Sequence, residues 1–98
     1  MTRIALALVL VSLTMPACKK QEGPQVAFLL STLQEERYQK DVKYFEQRSK
    51  ELGLRVVTLA ADNDNAKQLA QLEDALARGA KIIVVQPTDS VAAASYVD

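Results

Sequence analysis

The sequence predicts an α/β fold in which a parallel sheet carries helices on both faces, giving three layers. Three short apolar runs, at residues 26–30, 54–59 and 81–85, are each followed by a polar turn and a segment with helical spacing of apolar residues. Gly53 and Gly79 directly follow the first two helical segments, where glycine commonly ends a helix. Repeated strand and helix units joined by right-handed crossovers build a parallel sheet.

The first unit begins with Val26–Leu30, whose unbroken apolar run is typical of a strand buried on both faces. Thr32 and Glu35 have the spacing of a capping box, which predicts a helix over residues 35–52. We expect Gly53 to close this helix in a left-handed conformation. The residues predicted on its inward stripe are Tyr38, Val42, Phe45 and Leu52.

The second unit starts at Leu54 and has Val56, Val57 and Leu59 in its strand. The polar turn at residues 62–65 supplies an N-cap for a helix predicted over residues 66–78. Helical spacing predicts that this helix turns three leucines inward, namely Leu69, Leu72 and Leu76.

The third strand is predicted over residues 81–85 and stops at Gln86 and Pro87, because proline cannot continue a central strand. Either Thr88 or Asp89 is placed to cap a third helix over residues 90–98. The folded part, residues 26–98, is shorter than the roughly 100 to 150 residues of a typical domain. We therefore expect it to be an incomplete N-terminal lobe and the first part of a longer architecture.

The N-terminus has the pattern of an export signal. Residues 1–17 combine the positive Arg3 with an apolar run at residues 4–13 that is too short to span a bilayer. Cys18 follows directly, and the segment resembles the lipobox of bacterial lipoproteins, which implies that Cys18 is lipidated after cleavage. Residues 18–25 are expected to form a polar tether between lipid and fold. The alternatives are cleavage without lipidation and a buried apolar helix.

Composition excludes several classes of function. The chain has 12 basic and 12 acidic residues among 98, so no field of one sign indicates nucleic acid as a partner. There is no histidine, and the single cysteine cannot build a zinc site. No G-x-G-x-x-G follows the first strand, and no Ser/His/Asp or Cys/His set is present. We expect no enzyme, metal or cofactor, although Asp62, Asp64 and Asp89 leave a divalent cation site open as an alternative.

The predicted ligand site lies just after the first strand. In open α/β sheets ligands bind beyond the carboxyl ends of the strands. There, Arg37 offers several donors in a fixed fork and Tyr38 a flat ring for stacking on a sugar. The alternative is a solvated arginine beside a core tyrosine. Asp62, Gln86 and Asp89 also follow strands, but residues of these types are more often turn or cap residues.

The sequence resembles the type I periplasmic sugar-binding proteins of ABC importers, and within them most closely the members that bind D-xylose. The resemblance extends from Val26 to the end of the chain. Its most specific part is Glu36–Asp41, where the xylose binders have the same Glu-Arg-aromatic-Gln-Lys-Asp pattern with tryptophan as the aromatic. The supporting segments, in order, are Leu52-Gly53, Gln71-Leu72-Glu73, Arg78-Gly79 and Ile82 to Pro87.

This resemblance implies a function in binding without chemistry. It implies that Arg37 hydrogen-bonds hydroxyls of a monosaccharide, such as xylose or a related aldose, and that Tyr38 stacks on the sugar ring. It further implies two lobes that close on the sugar, an ABC transporter permease as partner, and a periplasmic or cell-surface location with Cys18 as membrane anchor. Alternatives are an exported lipoprotein enzyme with a Rossmann-like domain, a structural lipoprotein, and a sugar-sensing protein for chemotaxis or signalling.

Overall fold

The computed structural model describes residues 23–98. The predicted signal segment 1–17, Cys18 and the tether as far as residue 22 lie outside the described residues. Hydrogen bonds to the rest of the described fold begin before the predicted boundary at Val26. The Gly23 carbonyl accepts from Arg55 Nε, and the Gln25 main chain bonds to Arg55, Lys81 and Ile82. The elements are β1 (Val26–Leu30), α1 (Glu36–Glu51), β2 (Val56–Ala60), α2 (Asn65–Ala77), β3 (Ile82–Val85), α3 (Ser90–Ala93) and a 3₁₀ turn (Ala94–Tyr96).

The three strands of the described part form one parallel sheet in the order β2-β1-β3. Val26 pairs with Val56 on one side and with Ile82 on the other, and the register continues along β1. Because β1 is central, all five of its residues are buried, as the apolar run predicts.

The two long helices cover opposite faces of the sheet, which confirms the predicted three layers. Ala27 and Leu29 pack with Leu72 of α2, whereas the ring of Phe28 lies 4.3 Å from that of Phe45 of α1, measured between centroids. Successive side chains of a strand point to opposite faces, so one apolar run supplies both cores. None of the helices within residues 23–98 is long and apolar enough to cross a membrane.

Both long helices end in the same way. The Gly53 and Leu54 amides donate to the carbonyls of Lys50 and Ser49, and the corresponding bonds form around Gly79 at the end of α2. This is the Schellman motif. Gly53 has φ +71°, as predicted, and Gly79 has φ +94°, a conformation in which a Cβ atom is costly.

The predicted capping box of α1 is wrong. Thr32 Oγ1 accepts a hydrogen bond from the Gln34 amide, which makes a local turn instead of a cap. The helix α1 begins at Glu36, and its N-cap residue is Glu35, whose side chain makes no capping hydrogen bond. Near its other end the buried residue is Ser49, and the predicted stripe residue Leu52 is 57% exposed.

The predicted inward face of α2 is also corrected in part. The buried residues are Gln68, Leu72 and Ala75, while Leu69 and Leu76 are 36% and 54% exposed. The helix is therefore rotated about its axis relative to the predicted leucine stripe. Gln68 faces inward because its carboxamide bonds to main-chain groups of Gln86 and Thr88. Asp64 is its N-cap and accepts from the Lys67 amide.

The third helix is shorter than predicted. Asp89, and not Thr88, caps it by accepting from the Val91 and Ala92 amides at 2.7 and 3.1 Å. The α-helix ends at Ala93 and continues as a 3₁₀ turn. The cap prediction was therefore confirmed for one of its two candidates, and the predicted length was wrong.

Candidate functional site

The candidate site is the carboxyl edge of the sheet between β1 and β3. From β1 the chain passes over one face to β2, and from β2 it passes over the other face to β3. The first crossover leads from β1 to its neighbour on one side, and the second leads back across β1 to its neighbour on the other side, so the edge between β1 and β3 is a topological switch point. In open α/β sheets this is where ligands bind.

Gln86 links the ends of the two strands at this switch point. Its Oε1 accepts from the Ser31 amide at 3.0 Å and from the Ser31 hydroxyl at 2.6 Å. Its Nε2 donates to the Tyr38 hydroxyl at 3.3 Å, and the main-chain amide of Gln86 donates to the Leu29 carbonyl at 2.8 Å. The carboxamide therefore fixes the first residue after β1 and the first turn of α1 relative to β3.

Tyr38 is half-buried and borders a groove of about 490 Å³ between α1 and the sheet. Five of its nine lining residues are apolar, and Gln86 places its carboxamide at the Tyr38 hydroxyl. A concave apolar surface with a few convergent polar groups is typical of a site for a small molecule. The lining residues are Phe28, Leu30, Tyr38, Asp41, Tyr44, Phe45, Val84, Val85 and Gln86.

Arg37 is exposed on the first turn of α1 and does not line this groove. Its guanidinium carbon lies 5.7 Å from the centroid of the Tyr38 ring, within the range of a cation–π contact. Within residues 23–98 it has no ion-pair partner. Its side chain therefore lies in solvent beside the tyrosine ring.

The turn after β2 contributes a main-chain contact to this edge. Asp62 and Asn63 have φ of +52° and +58°, which aspartate and asparagine tolerate better than most residues. This turn brings the Asn63 amide to 2.7 Å from the Ser31 carbonyl. Ser31 thus forms hydrogen bonds with Asn63, which follows β2, and with Gln86, which follows β3.

The three carboxylates considered for a cation are engaged elsewhere. Asp62 pairs with Lys67, whereas Asp64 and Asp89 cap helices. In the part of the chain that the structure describes, no three acidic or other metal-ligating residues are grouped closely enough to hold a metal ion.

Gln68 is the residue that sequence reasoning missed. It is 0% exposed although it is polar, and its carboxamide bonds to the turn that follows β3. Its spacing of four residues from Leu72 places it on the inward stripe, and this was the only signal in the sequence. No sequence pattern marks Ser31 either, and residue type alone favours a turn position for Gln86.

Comparison with known proteins fits this geometry. The family model of the periplasmic binding protein domain matches residues 26–98. The chain belongs to this family. The ribose import binding protein of Haemophilus influenzae is 44% identical over 52 residues, which are 53% of this chain and 18% of that protein. Its counterpart from Bacillus subtilis is 30% identical over 73 residues, 74% of this chain and 24% of that protein.

A solved structure shares the fold. An ABC transporter solute binding protein from Mycobacterium smegmatis, with bound glycerol, superimposes with a TM-score of 0.71 at 20% identity, covering 76% of this chain and 26% of that one. The chain thus spans about a quarter or less of the length of these proteins. They are binding proteins and not enzymes, and none of these names carries the specificity for xylose that the sequence resemblance implied.

Proposed function

We propose that the protein is the extracytoplasmic substrate-binding subunit of a sugar ABC importer, with a monosaccharide, preferably an aldopentose, as ligand. The observation that carries this proposal is the Ser31–Gln86–Tyr38 network at the switch point of a periplasmic binding protein fold. Such a network presents an aromatic ring and oriented polar groups at the edge where this fold class binds ligands. The ribose import binding proteins among the relatives support a pentose.

In the proposed complex each edge residue has one task. The Arg37 guanidinium donates to sugar hydroxyls, and the Tyr38 ring covers the C–H face of the sugar. Gln86 and Ser31 hold the tyrosine in place. A second lobe closes over the sugar, and the closed form, stabilised by contacts to both lobes, is the shape that the ABC transporter permease recognises.

Which aldopentose is bound is tested by titration calorimetry on the product of the complete gene. We expect saturable binding of D-ribose or D-xylose and weaker binding of D-glucose, because a hexose adds a hydroxymethyl group that the site must accommodate. The resemblance around Tyr38 favours xylose, and the named relatives favour ribose. If neither pentose gives saturable heat, the proposed function is wrong.

An exported enzyme with a Rossmann-like domain is the weaker alternative. The edge residues bond to one another, and β1 is followed by Ser31 and Thr32 instead of a glycine-rich phosphate loop. A sugar sensor for chemotaxis or signalling would use the same binding site with a different membrane partner. No feature of the described residues favours it over transport.

Tyr38→Phe keeps the ring and removes the hydroxyl that accepts from Gln86. We expect the affinity for the pentose to fall by about fivefold, since one neutral hydrogen bond is worth roughly 1 kcal/mol. Ser95→Ala is the control, because it also removes one neutral hydroxyl hydrogen bond, from Ser95 to the Ala92 carbonyl at 2.7 Å, at a residue that does not line the groove. Equal affinities of the two variants in calorimetry would remove the Tyr38 hydroxyl from the proposed site.

We further propose that the protein is anchored to the membrane through lipidated Cys18. Cys18→Ser removes the thiol that would carry the lipid, so we expect the protein to move from the membrane fraction to the soluble periplasmic fraction. Immunoblots of fractionated cells measure this, with Lys19→Ala as control for a change beside the cleavage site. A Cys18→Ser protein that stays in the membrane fraction would contradict lipid anchoring, and the sugar-binding proposal would be unaffected.

A further inference from the structure

Gln68 is a polar side chain placed where the periodicity of α2 requires an apolar one. It is 0% exposed and lies one helical turn before the core residue Leu72. Burying a carboxamide costs free energy unless its donors and acceptor are hydrogen-bonded. The structure meets this condition in one place, the turn that follows β3.

The carboxamide of Gln68 bonds to both sides of that turn. Its Nε2 donates to the Gln86 carbonyl at 3.1 Å, and its Oε1 accepts from the Thr88 amide at 3.0 Å. The same oxygen accepts from the Tyr96 hydroxyl at 3.3 Å. One side chain of α2 thus holds the main chain of residues 86–88 and the 3₁₀ turn at the C-terminal end.

The turn has few other main-chain anchors. The Gln86 amide makes the last bond to β1, at the Leu29 carbonyl, and Pro87 has no amide hydrogen to donate. The Gln86 carbonyl and the Thr88 amide are the next groups along the chain, and Gln68 takes both. The Thr88 hydroxyl also donates to the Asn65 side chain at the start of α2, but this bond does not involve the main chain of the turn. Without Gln68 the main chain directly after β3 would be held less firmly, at the residue whose side chain reaches Ser31 and Tyr38.

We propose that Gln68 is a positioning residue of the sugar site, which sets the 86–88 turn and thereby aims the Gln86 carboxamide at Ser31 and Tyr38. This inference rests on the proposed function for its effect on affinity. Gln68 itself is fully buried and does not touch the sugar. It acts through Gln86.

The chemistry of the contact requires one donor and one acceptor on the same planar group. An ionised carboxylate has no donor for the Gln86 carbonyl, whereas a protonated carboxyl has one O–H donor and one carbonyl acceptor. Gln68→Glu is therefore a defective variant at high pH and a near-isostere of the native residue at low pH. Burial favours the neutral form, which brings its titration toward the accessible range. The titratable group in contact with Gln68 is the Tyr96 phenol, and no charged side chain of the described residues bonds to it.

The experiment is calorimetric titration of the complete gene product with D-ribose and D-xylose at pH 5 and pH 8. At pH 8 we expect Gln68→Leu to bind about tenfold more weakly than the unmodified protein, because the Gln86 carbonyl and the Thr88 amide both lose their partner. We expect a similar loss for Gln68→Glu, because its carboxylate has no donor for the Gln86 carbonyl and places a negative charge beside that oxygen. At pH 5 Gln68→Glu should recover to within about threefold, since its neutral carboxyl restores one donor and one acceptor. Gln68→Leu should not recover.

The matched control is Ala75→Gly, which weakens the same helix at a buried position that makes no bond to the turn. It should lower stability and leave affinity unchanged. If both Gln68 variants bind like the unmodified protein at pH 8, or if Ala75→Gly loses as much affinity as they do, Gln68 is only a structural residue.

A second measurement separates this inference from the proposed function. Amide hydrogen exchange of Ser31 and Thr88 is followed by NMR without sugar, at one pH for all variants. We expect faster exchange of both amides in Gln68→Leu than in Ala75→Gly, because Thr88 loses its acceptor and Ser31 depends on the aim of Gln86. If no pentose binds the unmodified protein, the proposed function fails while the exchange data still decide the positioning role. Unchanged protection of Ser31 would overturn it. Should Gln68→Leu not fold, the pH dependence of Gln68→Glu decides.

Discussion

Arg37→Ala is expected to weaken pentose binding by about 10- to 100-fold, since a hydrogen bond to a charged group contributes roughly 1.5 to 3 kcal/mol. The guanidinium stands beside the Tyr38 ring and has no ion-pair partner within residues 23–98, so its donors are available to a ligand. In a cleft closed by a second lobe these donors would lose water and bond to sugar hydroxyls at full strength. Calorimetry on the complete gene product measures the change.

Two variants make this test specific. Arg48→Ala removes an arginine from the same helix, but that guanidinium pairs with Glu51 at 2.9 Å near the far end, so affinity should not change. Arg37→Lys keeps the charge and loses the planar fork, and we expect an intermediate affinity. An Arg37→Ala protein with unchanged affinity would remove Arg37 from the site and leave the switch-point network as the recognition surface.

The fold was predictable where the signal is local and repeated. The strand Val26–Leu30 was predicted with the bounds that the structure shows, because an apolar run of five residues between polar segments is typical of a short buried strand. Gly53 and Gly79 fixed the ends of α1 and α2 to within one residue, since both helices end in a Schellman motif that needs a left-handed residue.

The parts that failed depend on tertiary contacts. Gln68 is buried because its partners are main-chain groups about twenty positions away, and a hydrophobic pattern assigns such a residue to the surface. The same contacts set the rotation of α2 that leaves Leu69 and Leu76 partly exposed. Thr32 had the spacing of a cap, but its hydroxyl satisfied a nearer amide first.

The candidate site was predictable in the same uneven way. Arg37 and Tyr38 were predicted from a short motif after β1, and in the structure Arg37 lies beside the Tyr38 ring, whose hydroxyl bonds to Gln86; their role in sugar binding stays a prediction. The partner of Tyr38 is Gln86, 48 positions along the chain, and only the β2-β1-β3 strand order brings the two together. Sequence spacing carries no information on that order, so Gln86 was interpreted as a turn residue.

The largest loss of stability is expected from Leu29→Ala. Leu29 is 0% exposed at the centre of the sheet, pairs with Leu59 and Val85 across the two neighbouring strands, and packs against α2. Truncating a fully buried leucine removes apolar contacts and leaves a cavity, which costs about 2 to 5 kcal/mol. Against a total of roughly 5 to 15 kcal/mol this is a large part of the free energy of unfolding, which urea denaturation measures.

Val91→Ala is the control, because Val91 is 82% exposed and its truncation should change the free energy of unfolding by less than about 0.5 kcal/mol. The Leu29 carbonyl also accepts from the main-chain amide of Gln86 at 2.8 Å, so this core residue is bonded directly to a residue of the candidate site. We therefore expect Leu29→Ala, in conditions where it remains folded, to weaken pentose binding as well. A Leu29→Ala protein with the stability of Val91→Ala would contradict the central position of β1, and with it the switch point from which the binding site is inferred.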